Sequence, residues 1–193
     1  MTRRRDRIAE APLLAWGEAL RQEKRRRSRI RRWLVPLGLG TGLLLVSTAF
    51  PPAPRLVWNA SPSVPMGLYR VTPGAWVEPG DMVIAWAPRP YRRLAAARHY
   101  LPVDVPLVKR VAATAGDEIC ALGSRIFIDG WPAAVRRAVD GKGRPMPMWS
   151  GCIRLRGRQI FLLTDDPASF DGRYFGASDG ADIVGKAVLL WRR

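Results

Sequence analysis

The sequence predicts a mainly β domain of about 140 residues preceded by one N-terminal transmembrane α-helix. Three observations predict it. Residues 33–50, WLVPLGLGTGLLLVSTAF, carry no charge over 18 positions, about the minimum that crosses a bilayer core. The segment directly before them, KRRRSRIRR, is strongly basic, as the cytoplasmic flank of a membrane span is. Beyond residue 51 the chain reads as short apolar and β-branched runs cut by Gly, Pro and Asp turns, with no internal repeat.

The elements follow in order. Residues 1–32 hold twelve Lys/Arg against four Asp/Glu, a net of +8, which is half of the chain's +16. A basic tail suits nucleic acid or an anionic membrane surface. The adjoining apolar span favours the membrane, and the tail lacks the interleaved aromatics of a nucleic-acid binder. Residues 6–31 fit either a helix lying on the inner membrane surface or a frayed basic tail. Residues 33–50 are expected to be an uncleaved anchor. A secretory signal peptide has a shorter basic region, an apolar core of about 7–15 residues and a small-residue cleavage site. Pro36 and three glycines make a poor soluble helix, yet such residues are tolerated in a membrane span. The positive flank keeps the N-terminus cytoplasmic and puts residues 51–193 outside. Trp33, Phe50 and Trp58 lie where interfacial aromatics are expected. FPPAP (50–54) is a stiff connector.

In residues 51–193, strands are predicted at 67–72, 82–87, 105–114, 125–130, 158–164 and 182–191. Turns separate them at 78–81 and 115–117, and Asp129-Gly130 signals a hairpin. Residues 90–100 read as a short helix or lid-like insertion, and 139–147 as a flexible loop. Cys120 and Cys152 both fall on the outer side, where an oxidising compartment favours a disulfide; two buried thiols are the alternative. Two cysteines and one histidine without ligand spacing imply no metal site. No cofactor is expected either.

The single histidine, His99, lies in an Arg-rich stretch that reads as surface, so a Ser-His-Asp triad is disfavoured. Lysine is the other candidate base. The chain uses arginine for nearly every positive charge; only Lys24, Lys109, Lys142 and Lys186 are lysines. Lys109 stands among apolar residues in PLVKRVA. Desolvation there would favour its neutral amine; a solvent-facing strand lysine is the other reading. Two serines, Ser61 and Ser63, sit in SPSVP. Pro62 fixes the backbone before Ser63, and Pro65 holds Val64 extended. Alone, these serines suit an ordinary turn. Paired with Lys109 they suit a Ser-Lys dyad.

Four blocks in order resemble the type I signal peptidase family of membrane-anchored serine peptidases, and within it the TraF-type branch of conjugative transfer. SPSVPMGLY (61–69) resembles the nucleophile box, GDMVIAW (80–86) the Gly-Asp strand box, VKRVAATAGD (108–117) the box of the lysine base, and SFDGRYFG (169–176) the last box. One residue, Val64, separates Ser63 from the proline, where housekeeping signal peptidases have two; that spacing points to the transfer branch. The resemblance implies a signal-peptidase-like β catalytic domain with Ser63 as nucleophile and Lys109 as general base. It further implies an oxyanion hole from Ser61 and the Ser63 N–H, with Ser169, Asp171 and Arg173 supporting the site. Substrate is expected as an extended peptide added along an edge near residues 105–109, with Pro65, Met66 and Val108 in the binding surface. The implied substrate is a pilin precursor, with or without cyclisation, and the implied setting is the periplasmic face of a bacterial inner membrane beside secretion components. A general signal peptidase of secreted preproteins and a non-catalytic membrane-tethered scaffold are the alternatives.

Overall fold

The computed structural model describes residues 6–50 and 53–193. The first five residues of the basic tail, and Pro51 and Pro52 of the expected connector, lie outside them. The chain divides into two units, Met1–Pro52 and Ala53–Arg193.

In the first unit one helix, α1, runs without a break from Asp6 to Ala49. The basic stretch and the apolar stretch are therefore one element, where two segments were expected. Near its end Ser47 and Thr48 fold their hydroxyls back onto the carbonyls of Leu44 and Leu45 at 2.9 Å each, which satisfies these side chains without water. By length and composition the stretch Trp16–Ala49 is apolar enough to cross a membrane.

The second unit is mainly β. Six strands form one sheet: β1 (Leu56–Asn59), β2 (Gly67–Thr72), β3 (Met82–Ala85), β4 (Leu107–Ala113), β9 (Phe161–Leu162) and β10 (Ile183–Arg192). Their spatial order is β1-β2-β10-β3-β4-β9, and every pairing is antiparallel. A second sheet holds β5 (Glu118–Leu122), β6 (Arg125–Ile128), β7 (Trp131–Val135) and β8 (Gly151–Arg154), in the order β7-β6-β5-β8. The Asp129-Gly130 turn joins β6 to β7, both residues at positive φ, as a tight hairpin needs. Cys120 on β5 faces Cys152 on β8, and a disulfide joins them.

Alternating burial builds the core. In β2 Tyr69 and Val71 point inward while Arg70 and Thr72 point out. They pack with Val64, Ile84, Val108 and Ala187 directly behind the Ser61–Pro65 segment. A second cluster, with Ala113, Ile119, Ile126, Leu155 and Phe161, holds the smaller sheet against β4 and β9. Gly67 begins β2 where β10 ends; a Cβ there would lie 2.0 Å from the Trp191 carbonyl oxygen, so no other residue fits.

Several expected spans shorten. The strand expected over 82–87 ends at Ala85, because Pro88 opens the helix α2 (Arg89–Ala97). The strand expected over 158–164 retains only Phe161–Leu162: Ile160 pairs instead with Ser178, and Thr164 turns toward Asp171. Residues 139–147, expected as a flexible loop, are tied down. Val139 bridges to Pro145, and the Asp140 carboxylate accepts from Lys142 N, Arg144 N and Arg144 Nε at 2.7–2.9 Å and from the Tyr100 hydroxyl.

Candidate active site

Ser63 stands in the turn between β1 and β2. Two of its neighbours are prolines, which cannot donate, so the segment needs other partners for its carbonyls. Asn59, 5% exposed at the end of β1, supplies them. Its Nδ2 donates to the carbonyls of Ser61 (2.9 Å), Val64 (3.3 Å) and Pro65 (3.1 Å), while its Oδ1 accepts from Ser61 N (3.1 Å). The Tyr69 hydroxyl donates to the Pro65 carbonyl at 2.8 Å, and buried Val64 pins the turn to the core. Asn59 was not among the expected site residues. Its signal was the Asn-x-Ser spacing, in which an Asn oxygen accepts the N–H two residues on. Asn59→Ala strips four backbone partners at once. It is expected to lower unfolding free energy by roughly 1–3 kcal/mol, readable in a urea titration.

Lys109 lies in mid-β4, paired across to Val83 of β3, and is 4% exposed. Its Nζ is 3.0 Å from Ser63 Oγ and 2.5 Å from Ser169 Oγ. Burial pushes its pKa down from 10.5 to about 8. Asp171 acts against this and Arg173 with it, so desolvation remains the controlling cause. Ser169 is 3% exposed and emerges from a turn in which its own N–H donates to the Asp166 carbonyl at 3.1 Å. Ser61 Oγ is 3.1 Å from Ser63 Oγ and 3.5 Å from Ser63 N. The Ser63 N–H donates to Ser61 Oγ here, and both groups can turn toward one incoming oxygen at the mouth of the site.

Beneath this cluster Asp171 and Arg173 form a wholly buried pair, 0% and 2% exposed. Arg173 reaches Asp171 through Nε (2.8 Å) and Nη2 (3.1 Å), and Nη2 also donates to the Thr164 carbonyl at 2.6 Å. Asp171 further accepts from Thr164 N and Oγ1 and caps the short helix α3 (Gly172–Phe175) through Arg173 N. Gly172 permits this packing; a Cβ there would meet the Leu162 carbonyl at 2.6 Å. The pair thus locks the Thr164–Ser169 segment to α3, which sets where Ser169 meets Lys109.

Two cavities meet at Ser63. One, about 570 Å³, has apolar walls from Val57, Leu101, Val105, Leu107 and Phe170, with Lys109 and Ser169 beside Ser63. Residues 107–109 pair with β3 on one side only, since β9 joins β4 from Val111 onward. The other, about 490 Å³, is lined by Arg110, Asp165, Asp166, Arg192 and Arg193. Val108 borders the first, Pro65 and Met66 the second. The three expected binding residues therefore flank the serine rather than share one pocket. His99 is exposed and borders neither cavity. Lys186, left open by the sequence, pairs with Asp81 at 2.7 Å. Among the described residues, Glu118, Cys120 and Cys152 bring three possible metal-ligand atoms together, but disulfide sulfurs carry no thiolate to ligate with.

Residues 29–192 match the family model described as signal peptidase, peptidase S26, and the chain belongs to this family. Within it, the chain is 36% identical to a probable conjugal transfer protein TraF of Sinorhizobium fredii (strain NBRC 101917 / NGR234) over 142 residues, 67% of this chain and 73% of the relative. It is 31% identical to a plasmid transfer protein TraF of Escherichia coli over 170 residues, 81% of this chain and 94% of the relative. A conjugal transfer protein TraF of Agrobacterium fabrum (strain C58 / ATCC 33970) is 33% identical, over 67% of this chain and 78% of that protein. Among solved structures, a signal peptidase I from Enterococcus faecalis V583 aligns at a TM-score of 0.35 and 16% identity, covering 58% of this chain and 97% of that one.

Proposed function

We propose that this protein is a membrane-anchored serine endopeptidase that processes a conjugative pilin precursor with a Ser63–Lys109 dyad. The observation that carries the reading is the 3.0 Å approach of a buried lysine amine to a serine hydroxyl in a proline-stiffened turn. Residues 1–32 form the basic cytoplasmic tail, 33–50 the anchor in the inner membrane and 51–193 the periplasmic catalytic domain. The relatives named for conjugal and plasmid transfer support a substrate within the transfer apparatus, such as a pilin precursor, over secreted preproteins in general. A non-catalytic scaffold would have no use for a buried lysine aimed at a serine, since burying that charge is costly.

Neutral Lys109 takes the Ser63 proton as Oγ attacks the scissile carbonyl. The Ser63 N–H and the Ser61 hydroxyl hold the oxyanion. The Lys109 ammonium then protonates the leaving amine, and the acyl group stays on Ser63. Neutral again, Lys109 activates water, or a second amine, to release the acyl group; an amine acceptor within the same chain would give a cyclic product. Ser169 steers the amine throughout. The residues before the scissile bond enter the apolar-walled cavity, their backbone added to the free edge of residues 105–109.

The pH profile tests this reading. With a pKa of about 8, Lys109 is neutral in roughly one molecule in ten at pH 7 and one in a hundred at pH 6. The kcat/KM for a peptide substrate is therefore expected to rise about tenfold per unit from pH 6 toward pH 8 and then level off. A profile that stays flat down to about pH 5 would show that no desolvated lysine serves as base.

A further inference from the structure

The cavity on the second side of Ser63 carries three guanidiniums against Asp165 and Asp166, whereas the first sets Lys109 and Arg137 against Asp140 and the shared Asp166. Five ionised side chains line it: Arg110, Arg192, Arg193, Asp165 and Asp166. They do not cancel evenly. Arg110 pairs with Asp165 at 3.5 Å. Asp166 accepts from Ala168 N at 2.8 Å and lies close enough to Lys109 to favour its charged form. Among the described residues, neither Arg192 nor Arg193 pairs with a carboxylate within 4.0 Å. Arg192 ends strand β10 and Arg193 follows it beside the nucleophile turn, where Arg193 N donates to the Met66 carbonyl at 3.0 Å. Their backbone is thus anchored beside the nucleophile turn, and their side chains are exposed.

A peptide whose scissile carbonyl rests on Ser63 Oγ has to leave the site on both sides. On the reading above, the residues before the scissile bond take the apolar cavity. The residues after it then enter the charged one. We infer that the Arg110–Arg192–Arg193 wall is a subsite for an acidic side chain on the leaving-group side of the substrate. This inference rests on the dyad reading for its direction along the peptide, and on the cavity alone for its charge preference. Guanidiniums are suited to it, since they bind carboxylates through two parallel hydrogen bonds and stay charged at any working pH.

The test separates the two. Full-length protein in neutral detergent, carrying Ser63→Ala, is titrated with three peptides that differ only in the four residues after the scissile bond, bearing two Glu, two Gln or two Lys. The Glu peptide is expected to bind about tenfold more tightly than the Lys peptide at low salt, and this ratio should shrink at high salt. In Arg192→Glu/Arg193→Glu the order of the peptides should invert. Arg125→Glu/Arg156→Glu, with the same charge change outside this cavity, should keep it. Equal binding of the three peptides, or inversion by the control pair, overturns the subsite. Charge-dependent binding without cleavage by the Ser63 form leaves the subsite standing and instead overturns the peptidase reading. Moving the two Glu residues to the other side of the scissile bond should abolish the preference; a preference that persists there overturns its assignment to the leaving-group side.

Discussion

Replacing Lys109 with methionine is expected to lower peptide cleavage at least ~10³-fold, almost entirely in kcat. Methionine keeps the unbranched stem and removes only the amine that contacts Ser63 and Ser169. The same substitution is expected to make the protein more stable at neutral pH. The folded-state pKa of about 8 lies below the unfolded value of 10.5. Below pH 8 both states carry the proton, and the folded state bears the full cost of a desolvated ammonium. Between pH 8 and 10.5 the unfolded chain binds the proton and the folded chain does not, so wild-type stability rises with pH. The gain in Lys109→Met should be up to about 3 kcal/mol below pH 8, less what the unpartnered Ser169 hydroxyl costs, and should fall below about 1 kcal/mol by pH 10. Urea unfolding of the full chain in detergent at pH 7 and pH 10 measures this fall. A variant that still cleaves would remove Lys109 from the mechanism, and one destabilised at pH 7 would contradict the desolvation account.

The second large effect is on folding. Asp171→Ala is expected to cost about 3–5 kcal/mol, because it leaves the Arg173 guanidinium buried without its counter-charge. It also removes the cap of α3 and the acceptor of Thr164 N and Oγ1. Replacing both residues, as Asp171→Leu/Arg173→Leu, should be less damaging than the sum of the two single changes, since no unpaired charge remains. A double-mutant cycle in urea would read this coupling; strict additivity would mean that the two side chains do not stabilise each other. If the double variant folds yet cleaves slowly, the pair acts on the reaction by holding Ser169 toward Lys109.

Much of this site was legible in the chain. Lys109 stood out because arginine takes nearly every other positive charge, and only lysine can lose its proton under a desolvation of this size. Ser63 stood out because two prolines stiffen its surroundings. Asn59 was harder to see, since a polar residue ending a strand reads as loop chemistry until its four partners are placed. The strands expected over 82–87 and 158–164 came out short for a related reason. Hydropathy marks which residues are buried, but backbone pairing depends on which neighbour lies alongside. Ile160 finds Ser178 rather than β4.

By itself the sequence determined the apolar stretch, the β character of the segment after it and the residue types able to do dyad chemistry. Each is a local property of composition, periodicity or backbone stiffness. The family resemblance grouped Ser63, Lys109 and Ser169, but the tertiary structure alone set these residues, separated by 46 and 60 positions, at hydrogen-bond distance. It alone buried Lys109 deeply enough to lower its pKa, and it divided the expected binding residues between two cavities on either side of Ser63. Desolvation and juxtaposition depend on what the rest of the fold brings alongside, and no stretch of sequence carries that information within itself.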